Sequence, residues 1–126
     1  MISLVKVTIR ITKYFKKAIK PLLKKYPSLT NDLLLLQAEL YSNPKLGTPL
    51  GRGVYKIRLK ITSKSQGKSG GARVISLLET TIIGMEAADS EDATTVILLS
   101  IYDKADVASI SDKELKDLIS RFHSDD

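Results

Sequence analysis

The hydrophobic pattern of this chain switches repeatedly between the strand period and the helix period, and the order of those switches limits the folds open to it. From Leu4 to Ile11, Val5, Val7, Ile9 and Ile11 alternate with Lys6, Thr8 and Arg10, as in a half-buried strand. After Thr12, a candidate N-cap, Tyr14, Phe15, Ala18, Ile19, Leu22 and Leu23 recur at helical spacing with lysines between them. Pro21 lies inside that pattern and is expected to kink or split the helix. A turn at Pro27–Thr30 precedes a second helix, capped by Ser28 or Thr30 and running to about Asn43, with Leu33, Leu36, Leu40 and Tyr41 inward. Gly47, Pro49, Gly51 and Gly53 mark a loop. Strands are then expected over Gly53–Thr62, Ala72–Thr81 and Val96–Tyr102, with the acidic stretch Gly84–Ala93 as a loop or loose hairpin end between the last two. Ser111 and Glu114 form a capping box for a final helix to about Phe122, with Leu115, Leu118, Ile119 and Phe122 on one face.

A lone strand, a helical hairpin, a run of three strands and a closing helix imply an α+β fold with a mostly antiparallel sheet. The 126 residues suit one domain, 1–126, and with 43% hydrophobic residues it can bury a core. Helices on one side would leave the other sheet face free. Lys56, Arg58 and Lys60 should point there if Tyr55, Ile57, Leu59 and Ile61 pack beneath the helices. No apolar run is long enough for a membrane helix, and the start lacks the pattern of a signal peptide, so the expected location is cytoplasmic, with no membrane partner.

Charge is unevenly divided. Through Arg73 the chain holds sixteen Lys and Arg against two Asp and Glu; from Val74 onward it holds four against twelve. That asymmetry fits either a polyanion partner, nucleic acid ahead of membrane, or a soluble protein with a basic face. Several chemistries drop out. There is no cysteine, and the single histidine, His123, falls near the end of the last helix, so a histidine acid–base pair is excluded. The carboxylates lack an EF-hand spacing, and neither a metal nor any other cofactor is expected. GKSGGAR shares only composition with a Walker loop, since it lacks the required interval and lies between two strands.

A row of cations remains. Lys56, Arg58 and Lys60 recur every second residue, so their head groups repeat at about 6.6–7 Å, near the spacing of phosphates in an extended single strand. Such a face could bind RNA backbone and stabilise the charge that develops at a scissile phosphate. With no histidine beside it, a Lys or Tyr would have to act as base. The same pattern also describes a merely solvated strand face, and the residues alone leave both readings open.

VYKIRLK, then GKSGGARVI, then ILLSIYDKAD leading into SDKELKDLI resembles the RelE/HigB branch of the RelE/ParE toxin superfamily. FKKAIKPLLKKYPSLTNDL is similar to the helical hairpin with which those toxins begin, and the likeness extends from about Val5 to Ile119. It implies a RelE-like α+β fold and the toxin of a type II toxin–antitoxin system: a metal-independent, ribosome-dependent mRNA endoribonuclease, or mRNA interferase, that inhibits translation. The implied partners are mRNA in the ribosomal A site, with its rRNA, and a cognate antitoxin that wraps the toxin into a hetero-oligomer. Carried over by motif, Lys56 and Arg58 match the basic pair at the scissile phosphate, Lys60 the next cation, Arg73 the arginine that stabilises the transition state, and Lys104 a further basic residue. Lys64 and Lys68 extend the RNA-binding set. The family's tyrosine would fall near Ile110, so Tyr102 takes its place, and Ala72 stands where an aromatic usually precedes the arginine. Arg73 is expected on an exposed face, with Gly70 and Gly71 admitting a phosphate close to the backbone. Two other readings share this fold: a ParE-like gyrase inhibitor, and an inactive homologue that only binds antitoxin, with the acidic insert over the basic face.

Overall fold

The computed structural model describes residues 5–64, 71–83, 91–107 and 109–125. The elements are β1 (Val5–Ile11), α1 (Lys13–Lys25), α2 (Leu29–Ser42), β2 (Thr48–Gly51), β3 (Val54–Leu59), β4 (Ala72–Ile83), β5 (Glu91–Asp103) and α3 (Asp112–Asp125). They form an α+β fold on one five-stranded sheet of order β1-β5-β4-β3-β2. β1 runs parallel to β5 and every other neighbouring pair is antiparallel. The first strand therefore crosses to the far edge, and the helical hairpin is its crossover.

Local chemistry accounts for the helix starts. Thr12 caps α1, its hydroxyl accepting from the Phe15 N–H at 3.1 Å and donating to the Leu98 carbonyl at 2.9 Å. The same side chain thus sets the helix start and pins it to the middle of β5. α1 runs through Pro21 without splitting. In α2, Ser28 donates to Asp32 at 2.8 Å instead of capping the backbone. At α3 the first half of the capping box forms, the Glu114 N–H donating to Ser111 Oγ at 3.1 Å, while the Glu114 carboxylate accepts from the same hydroxyl at 3.1 Å.

The sheet is covered on both faces, which corrects the expectation of a free one. On the first, Phe15, Ile19 and Leu22 of α1 and Leu36 and Leu40 of α2 pack over Ile57, Leu59, Val74, Val96 and Leu98. On the second, Leu115 and Phe122 of α3 pack against Val54, Ile75, Leu77, Ile97 and Leu99. At the register shift between Ile75 and Ser76, Leu99 is the extra residue of β5 and the alternation slips by one: Val96 and Leu98 serve the first core, Ile97 and Leu99 the second, and Ile101 returns to the first. Tyr41, expected inward, is 49% exposed. The loop expected before β3 contains β2, which a turn with positive φ at Arg52 and Gly53 folds back onto β3. β4 and β5 are longer than anticipated. β5 takes in residues 91–93 of the acidic stretch, and the rest of that stretch lies outside the described residues. Among the described residues no helix is long and apolar enough to cross a membrane.

Candidate nucleic-acid interface

The placement of the cations follows from strand parity. Just before β3 the Leu78 N–H donates to the Gly53 carbonyl at 2.8 Å. At the strand's other end, a Cβ built on Gly71 would lie 2.5 Å from the Leu59 carbonyl oxygen. Gly53, Tyr55, Ile57 and Leu59 therefore turn their main-chain groups toward β4, while Val54, Lys56 and Arg58 turn theirs toward the outer edge. Residues directly opposite one another share a sheet face. Arg58 is opposite Arg73, and Arg73 is opposite Tyr102; one rung along, Lys56 is opposite Ile75, and Ile75 is opposite Ser100. Ile75 belongs to the second core, so this ladder lies on the side of α3, away from the helical hairpin, as the alternation of β3 requires.

Arg58 and Arg73 face each other in a pair that is not hydrogen-bonded through the main chain, where Cβ atoms approach to about 4.5–5.5 Å. Like charges so placed repel. Contrary to the sequence expectation, Arg73 is not exposed: it retains 6% of its accessible surface, because β3 and β5 flank it on both sides. Its guanidinium donates to the Ala72 carbonyl at 3.1 Å. Among the described residues no carboxylate is ion-paired with Arg73, Arg58 or Lys56; those that are ion-paired serve Lys13, Lys25 and Lys64. Beside Arg73, the buried Tyr102 hydroxyl also has no hydrogen-bond partner among the described residues. Among the described residues this leaves a buried cation without a counter-charge beside an unpartnered hydroxyl, an arrangement that a bound anion would complete.

The connector after β3 is held by two carboxylates that the sequence reading passed over. Asp103 Oδ1 accepts from Lys64 Nζ at 2.7 Å, and its Oδ2 accepts from the Tyr26 hydroxyl at 2.5 Å. Burial of the Asp103 side chain opposes ionisation, but the Lys64 and Tyr26 hydrogen bonds, the Ala105 N–H and the Lys64 charge outweigh it and hold the carboxyl down at about 2. Asp32 accepts from the Thr62 hydroxyl at 2.6 Å and the Thr62 N–H at 3.0 Å. Burial opposes its ionisation too, yet the Thr62 and Ser28 hydroxyls, the Thr62 N–H and the Lys60 charge lower its pKa. The legible signal was a lone carboxylate ending the apolar run ILLSIYD.

Not every expected cation joins the row. Lys64, expected to contact RNA, is instead largely buried, held by Asp103 and stacked over the Tyr26 ring. Lys60 is exposed just past the end of β3, within electrostatic reach of Asp32. Lys104 is half-buried, and its N–H donates to the Gly71 carbonyl at 3.1 Å, two residues before Arg73. Lys68 and Gly70 lie outside the described residues. Gly71 has a reason other than the expected approach of a phosphate: at φ 27° its bare Cα gives room to the Leu59 carbonyl. Ile110 packs against the second core. Compared with models of known protein families, the chain matches none.

Proposed function

We propose that this chain is a RelE/HigB-like toxin that cleaves mRNA on the ribosome and is neutralised by a protein antitoxin. The observation that carries the reading is the cross-strand rung Arg58–Arg73–Tyr102, in which a buried arginine lacks any carboxylate among the described residues. A phosphodiester would supply the missing negative charge. Attack by the 2′-hydroxyl forms the bond from the 2′-oxygen to phosphorus and breaks the bond from phosphorus to the 5′-oxygen. The 2′-proton passes to a base, and the 5′-oxygen takes one up. Arg73 and Arg58 stabilise the charge on the non-bridging oxygens, Lys56 neutralises the adjoining phosphate, and Tyr102 and Lys56 are the groups available for proton transfer. Lys60 and Lys104 extend the contact with RNA. Lys64 has a positioning role, because its charge is already met by Asp103.

The burial of Arg73 favours one second reading, a homologue that binds antitoxin without cutting. Ribosome profiling during brief expression without antitoxin separates the readings. The expected result is growth arrest with mRNA cut only where ribosomes sit. Arrest with intact mRNA and inhibited gyrase selects the ParE-like alternative, and growth without arrest selects the inactive homologue.

A further inference from the structure

Among the described residues no strand lies outside β1, so the sheet ends there in an open edge. The Thr12 N–H donates to the carbonyl of Leu98, which is the ladder partner of Ile11. That phase turns the main-chain groups of Thr8, Arg10 and Thr12 toward β5 and those of Val7, Ile9 and Ile11 outward, where they meet no main-chain partner among the described residues. The side chains of Val7 and Ile9 pack on the first core, and beside them β1, α1 and α2 line a groove of about 340 Å³. Ile11, Leu23 and Leu34 belong to that lining and remain 48%, 40% and 57% exposed. Unpaired donors and acceptors next to uncovered apolar side chains make a template for a further strand.

We propose that β1 pairs with β1 of a second copy of this chain, antiparallel about a two-fold axis through Ile9. Outward residues must face outward residues to exchange hydrogen bonds, so the axis passes through one residue of β1, and that residue fixes every opposite pair. Charge and length select among the choices. An axis at Thr8 sets Lys6 opposite Arg10 of the second copy, and an axis at Arg10 opposes the two copies of that residue; like charges directly opposite are destabilising. An axis at Val7 or earlier leaves the exposed Ile11 beyond the end of the opposing strand, and one at Ile11 runs the pairing into α1. The axis at Ile9 does neither. It sets Val7 opposite Ile11 of the second copy, extending the apolar layer across the junction, with Thr8 opposite Arg10 and Lys6 opposite Thr12. Lys56 and Arg58 stay uncovered, because β5 and β4 lie between β1 and β3. The proposal therefore goes beyond the nuclease reading and does not rest on it.

The test uses the full chain without RNA. Sedimentation over a range of concentrations should show monomer and dimer in exchange. Amide hydrogen exchange should slow at Val7, Ile9 and Ile11 as the dimer fills, while the Thr8 and Arg10 amides, bonded to β5, are protected at every concentration. Each copy carries a formal charge of +6, so added salt should tighten the dimer by screening repulsion. Thr8→Glu, placed opposite Arg10 of the second copy, should tighten it several-fold, and Thr8→Lys should weaken it by a similar factor. Ile11→Lys should weaken it about tenfold or more, since it removes an apolar contact from each half of the junction. Both positions are exposed in the single chain, so these variants keep the fold. A monomer at every concentration overturns the proposal, as does a dimer that leaves the Val7, Ile9 and Ile11 amides exchanging as before, or one that Thr8→Glu weakens. A dimer that dissolves as salt rises is bridged by a bound polyanion and overturns it too. The exchange pattern is read on the wild-type chain, so the result stands whatever the variants do.

Discussion

Replacing Arg73 with methionine should lower cleavage by about 100-fold to 1,000-fold while leaving the protein at least as stable as before, the loss being that of one oxyanion donor in a site shielded from water. The two effects are expected to run in opposite directions because of where the side chain lies. Arg73 keeps 6% of its surface, faces Arg58 across the strand pair, and meets no carboxylate among the described residues. A long apolar side chain removes the repulsion and the cost of burying the charge, a change that can stabilise by about 1 kcal/mol or more. A residue kept only for the fold would show the reverse. Arg73→Lys should recover part of the activity, since an ammonium supplies charge without the two-pronged donation of a guanidinium. Denaturant unfolding and cleavage assays on the same preparations check both halves; a variant that loses activity only because it unfolds removes Arg73 from the catalytic set.

The second large effect is at Asp103. Removing one partner of a buried ion pair leaves the other uncompensated, so Asp103→Ala should destabilise by about 3–5 kcal/mol, measured by urea unfolding near neutral pH. The double variant Lys64→Met/Asp103→Leu should restore much of this, because no lone charge then remains. Acidity is an independent check. The Asp103 carboxyl is depressed from 3.8 to about 2, so its contribution is fully present above its unfolded pKa and is lost as pH falls from about 4 through about 2. By linkage that depression is worth on the order of 2 kcal/mol. Asp103→Asn should flatten the acid limb of stability over that window, and an unchanged limb would show that the Lys64 and Tyr26 contacts do not persist in solution.

What could be read from residues alone was set by how many sides of each element are covered. β3 alternates because its far half is packed on one face and open on the other, so Ile57 and Leu59 against Lys56 and Arg58 told its faces apart. β4 and β5 read as nearly continuous apolar runs, ARVISLL and VILLSI, and that continuity is itself the mark of strands buried on both faces. Taken at its word, it would have foretold that α3 lies on the second face. β2 escaped because TPLG has no period and is held by a turn with positive φ. The convergence of Lys56, Arg58, Arg73 and Tyr102 on one face followed from parity once the strands were paired. The burial of Arg73 did not, since it depends on β3 and β5 closing on both sides of a residue whose type suggests the surface. Lys64 was misjudged for the converse reason: in a polar, glycine-rich connector it reads as a free cation, and only the fold brings Asp103, thirty-nine positions away, to within 2.7 Å of it.

On the proposed function, the rung of Arg58, Arg73 and Tyr102 cuts RNA by attack of the 2′-hydroxyl. The most direct measurement uses purified protein and ribosomes halted on a defined mRNA with an empty A site, with cut ends mapped by primer extension. A single cut in the A-site codon is expected, with a 2′,3′-cyclic phosphate on the upstream fragment and no cut in the same mRNA free of ribosomes. A 2′-deoxy substitution at the cut nucleotide or Arg73→Met in the protein should suppress it. Intact mRNA on the ribosome, or a cut that Arg73→Met leaves unchanged, would contradict it.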